Sequence, residues 1–151
     1  MELKRYTNNA KETMVEAMEC ARALGHQTIT TTHVMKVILL NDKKRFTKLI
    51  KLAGGDYFSV QQEAETLLMS FPRVEGDQNL FMDSKLSEAI KNAEVFANKL
   101  GDKFIGLEAL FLGIALGKGE LAKKLVNKMK NFDQLEGIVL ADRKGNKIES
   151  Q

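Results

Sequence analysis

Residues 100–116 read LGDKFIGLEALFLGIAL, and residues 24–40 read LGHQTITTTHVMKVILL. Displaced by 76 positions without a gap, the two stretches superimpose: Leu24 on Leu100, Gly25 on Gly101, Ile29 on Ile105, Ile38 on Ile114 and Leu40 on Leu116. The register holds upstream, where Glu12, Ala17 and Ala21 meet Glu88, Ala93 and Ala97. It also holds downstream, where Lys48 and Leu49 meet Lys124 and Leu125. A gapless match at a single offset marks a duplicated unit, and a repeat constrains the fold before any local propensity does.

Within the first unit the apolar residues fall in helical steps. Ala10, Met14, Ala17, Ala21 and Leu24 form one stripe after Thr7, which is placed to cap the helix, and Gly25 is placed to end it. Gly25–Ile29 is a connector with Ile29 turned inward, and a second helix opens at Thr30 or Thr31 and runs to about Leu40. A third carries Phe46, Leu49, Ile50 and Ala53 up to Gly54-Gly55. A fourth starts at Asp56 or Ser59 and carries Val60, Ala64, Leu67 and Leu68 to about Ser70. The second unit repeats this plan. Ser84 is expected to cap a helix with the stripe Leu86, Ile90, Ala93, Ala97 and Leu100, and helices over 107–116, 120–130 and 132–141 follow. No segment alternates as a strand does.

The expected fold is therefore all-α, eight helices in two pseudo-symmetric four-helix repeats. The first repeat covers about 1–71 and the second about 83–141, with a linker over about 72–82 that Pro72 and Gly76 keep out of helix. Residues 142–151 read as a solvated tail or the start of a linker. The second helix of each unit is apolar nearly all round, which places it at the centre of a bundle. Phe96 lies about 100° off its stripe, beside Asn92 and Lys99, and is either core at a wide interface or an exposed contact residue.

Composition narrows the class. The 151 residues suit one domain; 44% are hydrophobic and 28% charged, and the net charge of +3 with mixed signs gives no case for nucleic acid. The single Cys20 cannot form an internal disulfide, which fits a reducing compartment. The start lacks an apolar signal core and no run is long enough to span a membrane, so the expectation is cytoplasmic, without membrane partners.

Chemical motifs are weak. The run Gly113–Gly119 resembles a phosphate loop, but three residues separate Gly113 from Gly117 and Gly119 stands where a hydroxyl is needed. His26 and His33 with one Cys do not make a zinc ligand set. Cys20 has no base nearby in sequence, and Asp102 with Glu108 lacks a complementary constellation for acid–base work. The lysines from Lys118 to Lys130 read as a solvated face. No enzyme, catalytic residue or metal site is expected.

Tyr6-Thr7 before a helix, then Leu24-Gly25-His26-Gln27 and Thr32-His33-Val34-Met35, resemble the first half of a Clp N-terminal domain. Leu100 to Ile105 followed by Glu108-Ala109-Leu110 resembles its second half. The linker Phe71-Pro72-Arg73-Val74-Glu75-Gly76 and the ending Asp142-Arg143-Lys144-Gly145 are most similar to the ClpB-type disaggregases. The resemblance implies a mobile N-terminal domain, monomeric alone, on a homohexameric ATP-driven unfoldase that works with the DnaK system. ATP and Mg would then belong to AAA+ rings beyond Gln151, with no cofactor in these residues. It implies that unfolded or aggregated polypeptides are engaged at polar positions Thr7, Asp102 and Glu108 and at groove positions Asn92, Phe96, Ala109 and Leu110. Relatives in that family often carry Leu where this chain has Asn92 and Ala109. The competing expectation is a ClpA/ClpC-type unfoldase domain that docks adaptors or phosphoarginine-marked clients, for which Glu108 is acidic but its counterpart is Thr32.

Overall fold

The computed structural model describes residues 3–76 and 79–149, with side chains through residue 145. Among the described residues there are eight α-helices: α1 (Asn8–Ala23), α2 (Thr31–Asn41), α3 (Lys43–Leu52), α4 (Tyr57–Ser70), α5 (Ser84–Lys99), α6 (Leu107–Ala115), α7 (Glu120–Leu125) and α8 (Leu135–Glu149). A short 3-10 turn, Phe132–Gln134, precedes α8. The fold is all-α, as the periodicity requires. Starts recur at the offset of 76, Asn8 to Ser84 and Thr31 to Leu107; α7 and α8 begin one and two residues later than Lys43 and Tyr57 predict.

The apolar second helices are central. In α2 only Lys36, Leu40 and Asn41 escape burial, and in α6 only Glu108 does. Phe46 of α3 and Phe111 of α6 meet between the units with ring centroids 5.0 Å apart. This tilted aromatic contact adds to the burial of two large side chains. Where α6 crosses α5, Gly113 lies so close that a Cβ there would collide with the Ala89 carbonyl and crowd Ala93. The absent side chain lets the two helix backbones approach.

Three helix boundaries and a pair of short strands differ from the sequence reading, each for a physical reason. Asp83, not Ser84, caps α5, its carboxylate accepting from the Lys85 amide at 3.1 Å. Helix α7 stops at Leu125, because the next turns tighten and the chain swings to place the Lys130 and Asn131 amides on the Gly54 and Ala53 carbonyls. Helix α8 does not end at Ala141; it continues to Glu149, with Asp142 and Arg143 turned onto the body by ion pairs rather than solvated. Finally, two short strands exist. β1 (Thr28–Ile29) pairs in parallel with β2 (Phe81–Met82), and Tyr6 bridges Ile105 in the same sense. Two residues are too few to show an alternation, so pairing set by tertiary approach leaves no trace in sequence.

These pairings exchange partners between the units. The Thr7 amide donates to the Ile105 carbonyl at 2.9 Å, and the Asp83 amide donates to the Ile29 carbonyl at 3.0 Å. Thr7 and Asp83 are related by the offset of 76, and so are Ile105 and Ile29. The segment entering the first helix of each unit thus binds the connector that leaves the first helix of the other.

Candidate functional site

Both connectors begin with the same cap. Gly25 and Gly101 adopt φ of +73° and +77°, a left-handed geometry that favours glycine. The following amide returns to the helix: His26 N–H to Ala21 and Asp102 N–H to Ala97, both at 2.9 Å. This closure satisfies carbonyls otherwise left open at the helix end. It also makes His26 and Asp102 structural counterparts, one turned into the body and the other toward charged neighbours.

Asp102 belongs to a group of six charged side chains drawn from three regions of the chain. Arg143 of α8 donates to Asp102 at 2.6 Å and to Glu108 at 2.5 and 3.0 Å. Arg45 of α3 donates to the other Glu108 oxygen at 2.7 Å and reaches Asp142 at 2.6 Å, while Lys48 reaches Asp142 at 2.9 Å. Asp102, Glu108 and Asp142 thus face Arg45, Lys48 and Arg143, and the charges cancel. Burial opposes the Arg143 charge, but the hydrogen bonds and negative charges of Asp102 and Glu108 outweigh it and raise its pKa. Glu108 sits in the first turn of α6, where a carboxylate also meets the positive end of the helix.

Thr7, at the entry to α1, lies against the connector that carries Asp102. Its hydroxyl accepts from the Ala10 amide at 3.1 Å, capping α1 as expected, and its methyl faces Gly106, the residue that opens α6. The structure therefore brings Thr7, Asp102 and Glu108 to the segment between α5 and α6, with both carboxylates already paired within the chain. Asn92 is exposed on α5, and Phe96 is half-buried one turn on, packed on the core with the Lys99 ammonium 5.5 Å from its ring centroid. Lys99 also reaches Glu136 of α8 at 3.1 Å. Ala109 and Leu110 do not line a surface. Each is 1% exposed, because α6 is enclosed on all sides, so the expected groove reduces to Asn92 and Phe96.

A buried histidine pair went unrecognised in the sequence. His26 Nδ1 and His33 Nε2 are 2.8 Å apart, and the Thr30 amide donates to His33 Nδ1 at 3.0 Å. An acceptor Nδ1 on His33 puts its proton on Nε2, which donates to His26 Nδ1 and leaves the His26 proton on Nε2. Among the described residues, that Nε2 is the buried side-chain nitrogen or oxygen without a hydrogen-bond partner. Phe71, where the linker begins, packs against both rings at 5.6 and 5.9 Å. Burial, then the neighbouring His26 and Lys36, lowers the His33 pKa to about 4. The spacing of seven residues was the only clue, and it says nothing without the turn at Gly25.

No helix among the described residues is long and apolar enough to cross a membrane. Residues 5–129 match the family model of the Clp repeat (R) N-terminal domain. The chaperone protein ClpB of Mesorhizobium japonicum is 30% identical over 152 residues, which cover 99% of this chain and 18% of that protein. ClpB of Meiothermus ruber is 30% identical over 130 residues, covering 85% and 15%. The chain thus spans less than a fifth of the length of these relatives. The Hsp104 N-terminal domain from Candida albicans has the same fold at a TM-score of 0.77 and 13% identity, covering 93% of this chain and 92% of that one. A ClpV N-domain in complex with a VipB peptide matches at 0.69 and 16%, covering 94% and 93%. By the family match over residues 5–129, this chain belongs to the Clp repeat N-terminal domains.

Proposed function

We propose that this chain is the substrate-engaging N-terminal domain of a ClpB-type, ATP-dependent disaggregase. In this reading it contacts exposed apolar segments of unfolded or aggregated polypeptides and passes them to the pore of a cytoplasmic homohexamer that works with DnaK. Nucleotide and magnesium would be handled by AAA+ rings outside these residues. The observation that carries the proposal is the ClpB likeness over 99% of the chain, joined to a partly exposed Phe96 with the Lys99 ammonium over its ring. The peptide complex of a ClpV N-domain supports the idea that this fold can dock a polypeptide.

The contact is small and open. Burying apolar area gives roughly 25 cal/mol per Å², and ordering a flexible chain cancels most of it, so an affinity on the order of micromolar to millimolar is expected. Weak docking suits transfer onward, and six copies on one ring would restore avidity. A phosphoarginine or adaptor role of the ClpA/ClpC type is less well supported. Glu108 is held by Arg45 and Arg143, and its counterpart Thr32 is buried behind the Thr30 cap.

The test is a residue-resolved NMR titration of residues 1–151 with an unfolded client, repeated on Phe96→Ser. Saturable shifts at Asn92, Phe96 and Lys99 that vanish in the variant are expected. Shifts confined to the surroundings of Glu108, and only with a phosphoarginine peptide, would move the function to the protease-linked branch.

A further inference from the structure

Helix α8 is held in two different ways along its length. Leu135 and Val139 are fully buried, and Ile138 and Leu140 pack on the core. In the next turn the side chains that meet the body, Asp142 and Arg143, do so by ion pairs. Glu136 and Arg143 stand seven residues apart, two turns along one helix face. That face crosses Lys99 at the end of α5 and then Asp102 and Glu108 at the start of α6. It therefore lies over the surface to which the preceding reading assigns client contact.

We infer that the C-terminal half of α8 is a self-docked strap, with Arg143 as an internal guanidinium seated on the Asp102–Glu108 carboxylates. The inference rests on the client-engaging reading and adds its regulation. An arginine side chain of an extended client segment reaches these carboxylates only when the strap lifts. The geometry supplies the reason for competition. Glu108 Oε1 is already taken by Arg45, and Glu108 Oε2 with Asp102 Oδ1 by Arg143, which donates from all three of its nitrogens, so a client guanidinium finds these oxygens filled while Arg143 is seated. It also supplies the reason for release without unfolding: Leu135 and Val139 keep the first two turns in the core while the ionic turn detaches. With Arg143 and Asp102 each about a quarter exposed, the contact is open to screening by salt.

Two variants test this on the whole chain. Arg143→Gln frees Asp102 Oδ1 and Glu108 Oε2 while Arg45 keeps Glu108 Oε1, whereas Asp142→Asn loosens the strap from Arg45 and Lys48 and leaves Asp102, Glu108 and Arg143 in place. Hydrogen exchange should quicken about tenfold or more over residues 144–149 in both, with residues 135–140 unchanged. Unchanged exchange at 144–149 overturns the strap. Both variants should then bind an arginine-bearing unfolded peptide several-fold more tightly than the parent chain, with shifts at Asp102 and Glu108. Equal or weaker binding by the variants overturns the competition while leaving client engagement standing. Absence of binding in all three proteins overturns both readings.

Discussion

His33 receives the Thr30 amide on one ring nitrogen and hands a proton to His26 from the other, so neither ring can gain a charge without breaking a bond. In the folded chain His33 titrates near 4, against 6.5 for an ordinary histidine. Burial first, and then the Arg73 charge, lower the His26 pKa as well. A histidine lowered in the native state takes up its proton first in the unfolded chain. Stability from this pair is thus complete above about pH 6.5 and is lost as pH falls toward 4. Urea midpoints measured from pH 7.5 to 4 should decline, by about 3 kcal/mol in total for His33 alone. His33→Gln should flatten that slope.

The crossing of α5 and α6 predicts opposite outcomes for two glycines. Gly113→Ala forces a methyl against the Ala89 carbonyl and should destabilise the fold by about 1–3 kcal/mol. Gly137→Ala, in the first half of α8 where a Cβ meets nothing within 4 Å, should stabilise it by about 0.5–1 kcal/mol. Thermal or urea unfolding of both variants decides the signs.

Asp83 and Ser84 compete for one role, and the structure gives it to Asp83. Asp83→Ala should cost about 1 kcal/mol, the usual loss for an N-cap, and Ser84→Ala should cost a few tenths at most. The same melts carry the comparison.

Glu108 is 13% exposed and bonded by two guanidinium groups. Glu108→Gln leaves Arg45 and Arg143 short of a counter-charge and should cost about 2–3 kcal/mol. The loss should shrink in high salt, read as urea midpoints at two ionic strengths.

The helices were legible because their information is local. Stripes such as Leu86, Ala93 and Ala97 report the buried face, Gly25 and Gly101 report the stops, and the all-apolar run from Ala109 to Ala115 reports a central helix. That last signal also misled. The apolarity that marks α6 as central is the reason Ala109 and Leu110 are enclosed rather than available as a groove. What escaped was whatever depends on approach between distant segments. The two-residue strands, the His26–His33 bond and the pairing of Arg143 with Asp102 and Glu108 each join positions whose nearness exists only after folding. Even the end of α8 follows this pattern: from Asp142 onward the sequence is polar enough for a tail, and the ion partners that hold it, Asp102 and Glu108 for Arg143 and Arg45 and Lys48 for Asp142, lie far away in sequence.

The exchange of edges between Tyr6 and Ile105, and between Met82 and Ile29, has a genetic corollary. A gene encoding a single unit would specify an entry segment and a connector that do not fit each other within one chain. Two copies side by side would satisfy both. Such a half-length product could fold as a homodimer, and tandem fusion would convert that dimer into the present arrangement without altering one contact. Fusion would then free each copy to diverge: one connector now carries a histidine facing inward, and the other an aspartate that receives a guanidinium.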